Sequence, residues 1–170
     1  TRKHLPRPLK KQGVVYFKQP AMMRWDYTQP ERVYYISDGD ILWTYEPSEK
    51  TAMKLRVGDS ELYTSLQFLF GRGEIMESFH LSYQGTRDGW AVVDMVPKRS
   101  QANYKTLSLH IDPSTFSIRA TEIVDPLDNV SRIEFGEPSF TDLKASAFRF
   151  QPPEGVTVDD MTHQDIGGQR

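Results

Sequence analysis

Residues 20–47 read PAMMRWDYTQPERVYYISDGDILWTYEP and carry twelve large apolar side chains between turn signals. Residues 21–28 alternate, with Met23, Trp25 and Tyr27 on one side of the chain and polar residues on the other. This period of two predicts a half-buried β-strand. In the next two apolar runs, 33–37 and 41–46, large side chains point to both faces, so both sides of the sheet must be covered or face an apolar space.

The dipeptide Asp38-Gly39 separates these two runs. Glycine tolerates the positive φ that a type I′ turn requires, so the pair predicts a two-residue β-hairpin. Together with the preceding strand, the hairpin predicts an antiparallel meander.

Turn-rich separators divide most of the remaining chain into short apolar runs. Between residues 59 and 71 the period changes, and apolar residues recur at helical spacing, with Asp59 or Ser60 placed to cap the start and Gly71 to end the helix. The apolar stripe of this helix is Leu62, Leu66, Leu69 and Phe70. The predicted strands are 14–18, 21–28, 33–37, 41–46, 52–57, 79–83, 90–96, 104–111, 116–124, 130–135 and 147–150.

The expected fold is therefore mainly β, with some helix (α+β). About ten or eleven short strands form one large, twisted antiparallel sheet that curls towards a barrel. The pattern of side chains does not distinguish a filled core from an open apolar cavity.

Composition restricts the function independently. The chain has 170 residues, 38% of them hydrophobic, which suits one domain, placed at residues 1–160 with a polar tail at 161–170. A net charge of −2 provides no basic footprint for nucleic acid, and the absence of cysteine excludes disulfides and thiolate chemistry. No apolar run approaches the roughly 20 residues of a membrane helix.

No group of residues points to catalysis, a metal or a cofactor. The four histidines, at positions 4, 80, 110 and 163, lack the short spacing of metal ligands. The acidic segment at Asp125 and Asp128 lacks the glycine and the distal glutamate of a calcium loop, which favours a hairpin turn. Ser37 and Ser131 have no neighbouring histidine or nucleophile elbow. We therefore expect a protein that is not an enzyme.

Two motifs, in order, carry a family resemblance. The first runs from Gln19-Pro20 through Arg24-Trp25, Gln29-Pro30 and Ser37-Asp38-Gly39 to Leu42-Trp43-x-Tyr45-x-Pro47. The second is Phe148-Arg149-Phe150-Gln151-Pro152-Pro153-Glu154-Gly155-Val156. Together they resemble the periplasmic outer-membrane lipoprotein carrier family, LolA, over roughly residues 12–160.

The resemblance implies an incomplete antiparallel barrel whose concave apolar face is covered by a helical lid. It implies a periplasmic carrier of a Gram-negative bacterium, acting as a monomer. Such a carrier takes lipoproteins by their acyl chains from an ATP-driven (ABC-type) complex in the inner membrane and passes them to the outer membrane, often through a receptor. The residues expected to line the acyl-chain cavity are Val15, Phe17, Met23, Trp25, Tyr27, Tyr35 and Leu42.

The same resemblance assigns the stripe at Leu62, Leu66, Leu69 and Phe70 to the inner face of the lid. The family often has arginine at the position of Gln19, where it fastens the lid, and Arg24 is a candidate to compensate. The family also begins with an amphipathic helix, which residues 1–13 do not resemble, and no signal peptide is present in the sequence. Three alternatives stay open: an outer-membrane lipoprotein receptor, a lipid-sensing periplasmic regulator of the same fold, and an interaction module with a packed core.

Overall fold

The computed structural model describes residues 10–57, 75–99 and 104–163. The chain divides into two compact units, one of Thr1–Thr64 with Leu143–Arg170 and the other of Ser65–Asp142. Each unit contains one open sheet, so the expectation of a mainly β protein is confirmed. The expected single continuous sheet is replaced by two separate sheets, because strand pairing along the described residues is interrupted between the fifth and sixth strands.

The first unit contains six strands in the order β1-β2-β3-β4-β5-β11. Its strands are β1 (Gln12–Lys18), β2 (Met22–Gln29), β3 (Val33–Ser37), β4 (Ile41–Glu46), β5 (Thr51–Arg56) and β11 (Thr157–Asp160). The first five form an antiparallel meander, which includes the meander predicted for β2 to β4. The sixth, β11, pairs in parallel with β5.

The hairpin between β3 and β4 is present, but its turn differs from the predicted type I′. The loop has three residues, and of its residues only Gly39 has positive φ, at 107°. Ser37 Oγ accepts the N–H of Gly39, and Asp38 Oδ1 accepts the N–H groups of Asp40 and Ile41 at 3.0 Å each. The side chains of Ser37 and Asp38 thus organise the turn, and a second positive φ is unnecessary.

The predicted last strand at 147–150 is wrong. Ala145–Phe148 forms a 3-10 helix, and the flanking Lys144 and Arg149 are extended. Phe148 is 1% exposed, and Arg24 Nη1 in β2 donates a hydrogen bond to the carbonyl of Ala147 at 3.2 Å. The alternation of Phe148 and Phe150 therefore reflects the packing of an irregular segment against the sheet. This segment does not pair as a strand.

The second unit contains a five-stranded antiparallel sheet in the order β10-β9-β8-β7-β6. Its elements are a four-residue helix α1 (Ile75–Ser78), β6 (Phe79–Arg87), β7 (Trp90–Pro97), β8 (Thr106–Ile111), β9 (Ile118–Val124) and β10 (Val130–Glu134). Phe79, Met95, Tyr104, Leu107 and Leu109 form its apolar core. The turn before β10 is the hairpin expected at Asp125, whose Oδ1 accepts the N–H groups of Leu127 and Asn129.

The predicted helix at 59–71 falls outside the described residues. Within the described ranges, no helix is long and apolar enough to cross a membrane.

Gly13 is a point of close approach between β1 and β2. A Cβ placed there would lie 2.3 Å from the carbonyl oxygen of Asp26 and 2.8 Å from Cα of Tyr27, both backbone atoms. We expect Gly13→Ala to lower the free energy of unfolding by about 1–3 kcal/mol, because the strands must separate locally. Denaturant unfolding measures this change.

Gly136→Ala is the matched control, because a Cβ at Gly136 meets nothing within 4 Å. Its effect should stay within about 0.5 kcal/mol. Equal effects of the two substitutions would contradict the close approach.

Candidate functional site

Strand register brings the seven predicted cavity residues to one face of the first sheet, here called the apolar face. Val15 pairs with Trp25, Phe17 pairs with Met23, and Trp25 pairs in turn with Tyr35. Directly paired residues of antiparallel strands point to the same side, and so do residues two apart on one strand. The face consists of Val15, Phe17, Met23, Trp25, Tyr27, Tyr35 and Leu42.

Two further apolar residues belong to this face and were missed from the sequence. Leu55 pairs with Leu42, and Met53 pairs with Thr44, which itself pairs with Tyr35. The alternation of Met53 and Leu55 with charged or small residues in β5 is the signal that could have identified them. The apolar face therefore extends across five strands.

The apolar face has a buried centre and an exposed margin. Met23, Leu42 and Trp25 are 0%, 2% and 5% exposed, whereas Phe17 and Met53 are each 40% exposed. Large apolar side chains that stay accessible beside buried ones provide a surface to which hydrocarbon can add without unpacking the strands.

Aromatic packing fixes the middle of the face. The rings of Trp25 and Tyr27 stack with centroids 5.3 Å apart, and Tyr27 meets Tyr35 edge-on at 6.0 Å. Burial raises the pKa of Tyr27, with a smaller contribution from Tyr35; burial, and then the Glu46 carboxylate, raises the pKa of Tyr35. Both phenols are therefore neutral at physiological pH, and the face has no tyrosinate charge that would repel hydrocarbon.

A small cavity lies beside the apolar face in the same unit. Its volume is about 230 Å³, and Thr44, Met53 and Glu46 contribute to its wall. Pockets for small molecules usually measure about 300–1,000 Å³, so this cavity alone is too small for a complete acyl chain.

The remaining site predictions have different outcomes. Leu62, Leu66, Leu69 and Phe70 lie outside the described residues. Gln19 is exposed between β1 and β2. Arg24 pairs with Ile36, which places it on the opposite face of the sheet from the seven apolar residues, and its Nε lies 2.8 Å from Asp26 Oδ1.

The similarity of this chain to known proteins agrees with the geometry of the apolar face. Residues 1–151 match the model of the family described as outer membrane lipoprotein carrier protein LolA. This chain belongs to the LolA family. The matched region contains all seven residues of the apolar face and the first four residues of the second motif.

Curated relatives support the assignment to LolA. An outer-membrane lipoprotein carrier protein of Methylococcus capsulatus is 27% identical over 147 residues, covering 86% of this chain and 70% of the relative. Carriers of the same name from Ralstonia nicotianae and Salmonella typhi are 30% and 29% identical over 150 residues. They cover 86% and 88% of this chain and 67% and 71% of their own lengths.

The second unit of this LolA-family chain has a buried histidine on the polar face of its sheet. His110 is 0% exposed, its Nε2 lies 3.4 Å from Glu122 Oε1, and Arg132 hydrogen-bonds to the same carboxylate oxygen. Its Nδ1 has no hydrogen-bond partner. Among the described residues, no three histidine, cysteine or acidic side chains are placed to bind a metal.

Burial lowers the pKa of His110, opposed by Glu122 and Asp88 and assisted by Arg132 and Arg87. The unfolded state binds a proton at His110 with a pKa of about 6.5, whereas the folded state binds it with a lower pKa. Protonation of His110 therefore favours the unfolded state. The contribution of neutral His110 to the stability of the fold is fully present above pH 6.5 and is lost as the pH falls through the lowered pKa.

We therefore expect the free energy of unfolding to fall more between pH 8 and pH 5 in the wild type than in His110→Gln. Urea unfolding at several pH values measures the two curves, and each unit of pKa depression is worth about 1.4 kcal/mol. Parallel curves would show that His110 keeps an ordinary pKa in the folded protein.

Proposed function

We propose that this protein is a periplasmic carrier that shelters the acyl chains of lipoproteins against its apolar face and moves them from the inner to the outer membrane. The observation that carries the proposal is the gathering of seven apolar residues on one face of a sheet in a chain of the LolA family. The names of the curated relatives agree with it.

Hydrophobic burial supplies the affinity. Each buried methylene contributes about 0.8 kcal/mol, so partial shelter of a few acyl chains holds a lipoprotein without any directional bond. Aromatic rings and thioethers, such as those of Trp25, Tyr27 and Met23, adapt their packing to different chains. The site thereby recognises the shared lipid anchor and does not discriminate between the protein parts of different lipoproteins.

Release requires a competitor for the lipid. We propose that residues 59–71 form a helical lid over a half-barrel, with Leu62, Leu66, Leu69 and Phe70 on its inner side. Closure of the empty site competes with lipid and weakens the net affinity. Gln19 is the better placed of the two fastening residues, because the guanidinium of Arg24 is held by Asp26 and Ala147 on the opposite face.

The partners that follow are an ABC-type lipoprotein-releasing complex in the inner membrane and a receptor in the outer membrane. The carrier itself catalyses no reaction. A lipid anchor that moves from one apolar site to another needs no covalent bond to be made or broken. We expect it to act as a monomer.

Trp25→Ala tests the apolar face. We expect it to weaken binding of a fluorescent fatty acid by about tenfold, since a loss of about 1.4 kcal/mol of ring contact corresponds to that factor. Trp43→Ala is the matched control, because Trp43 lies on the opposite face and packs against Phe150 with centroids 5.4 Å apart. The control should lose stability and keep its affinity for the fatty acid.

Titration of fatty-acid fluorescence and urea unfolding are measured on both variants and on Met23→Glu. Phe17→Ser adds a variant at the exposed margin, where uptake should fall with little change in stability. If the wild type shows no saturable uptake at any concentration, the interior is filled and the carrier proposal fails.

A further inference from the structure

A second cavity of the first unit lies on the face of the sheet opposite the apolar face. Its volume is about 500 Å³. Arg24 in β2, Tyr34 in β3 and Tyr45 in β4 share this opposite face by register. The residues that define the cavity, here called the arginine pocket, are Arg24, Arg32, Arg149, Tyr34, Tyr45 and Phe150.

The charge of the arginine pocket is unbalanced. Arg24 is neutralised by Asp26, whose two oxygens lie 2.8 and 3.0 Å from its Nε. Arg32 and Arg149 are both exposed and, within the part of the chain that the structure describes, their side chains form no hydrogen bond or ion pair. No carboxylate belongs to the described wall of the pocket. Two guanidinium groups therefore offer free donors to an incoming anion.

Aromatic rings form the floor between these cations. Tyr34 and Tyr45 stack at 6.0 Å, Phe150 lies 5.1 Å from Tyr45, and the guanidinium carbon of Arg24 lies 5.9 Å from the centre of the Tyr34 ring. Rings that already pack on one another lose little freedom when a ligand arrives. The pocket is thus preorganised for a ligand that combines an anionic group with an apolar one.

We propose that the arginine pocket docks an acidic peptide segment of a partner protein, with a carboxylate bound by Arg32 and Arg149 and a neighbouring apolar side chain against Tyr45 and Phe150. Arginine forks bind carboxylates in a bidentate geometry, and arginine and aromatic residues are enriched where proteins meet. This binding goes beyond lipid carriage, because it uses the other face of the sheet.

A peptide fits these observations better than a lipid bilayer. A concave site of about 500 Å³ has the size of a small-ligand pocket, which admits one or two side chains. Attraction to an anionic bilayer relies on a broad group of basic residues, whereas this chain has a net charge of −2.

The probe is a capped hexapeptide in which glutamate alternates with phenylalanine, and its control has glutamine in place of glutamate. We expect saturable binding of the acidic peptide, measured by calorimetry or fluorescence anisotropy, that weakens as salt is raised. The glutamine peptide should bind at least tenfold more weakly.

Arg32→Gln and Arg149→Gln should each weaken the acidic peptide about tenfold, because each removes one charge-assisted contact. Arg56→Gln is the matched control, since Arg56 is an exposed arginine of the same sheet that does not contribute to the pocket wall. It should leave binding unchanged. All three variants should keep wild-type uptake of fatty acid, which separates this inference from the carrier proposal.

Three results would overturn the inference. The first is equal binding of the acidic and glutamine peptides, and the second is an equal loss in Arg56→Gln and Arg32→Gln. The third is binding to vesicles of phosphatidylglycerol that the Arg32→Gln, Arg149→Gln double variant loses, while the peptide fails to bind. That result would assign the pocket to an anionic membrane surface.

Discussion

The antiparallel register of β1 to β4 is the constraint on which the site depends. Pairing of Val15 with Trp25 and of Trp25 with Tyr35 aligns side chains from three strands on one side. A slip of one residue in any pair would turn that strand's apolar set to the other face. Burial of Met23 and Leu42 holds the register, because a slipped strand would expose them to water.

The two faces of the first sheet separate two kinds of chemistry. One face gathers neutral apolar and aromatic groups, and the other carries arginines set among rings and a covering 3-10 helix. The alternation of Trp25 with Arg24 and Asp26 in a single strand produces both. A β-strand can therefore serve two different ligands with residues that are adjacent in sequence.

Strand positions were predictable where side-chain burial alternates, as in β2, and the same alternation placed Met23, Trp25 and Tyr27 on one face. The strand predicted at Phe148 and Phe150 was wrong because one buried and one half-buried ring, spaced by one residue, also suit an irregular segment. Thr157–Asp160 escaped prediction because all four residues are exposed, and only main-chain pairing with β5 makes them a strand. Division into two sheets depends on long-range pairing, which local periodicity does not encode.

The short strand β11 also limits self-association. It covers the otherwise unpaired edge of β5, and its own outer edge presents Asp159 and Asp160 in a strand of only four residues. Thr162 donates two hydrogen bonds to Asp160 Oδ1, and Lys54 Nζ lies 3.1 Å from Oδ2. These contacts, those of Thr162 first, lower the pKa of Asp160 to about 2. A short edge that carries ionised carboxylates is a poor template for a further strand, so this edge of the sheet resists the addition of another strand.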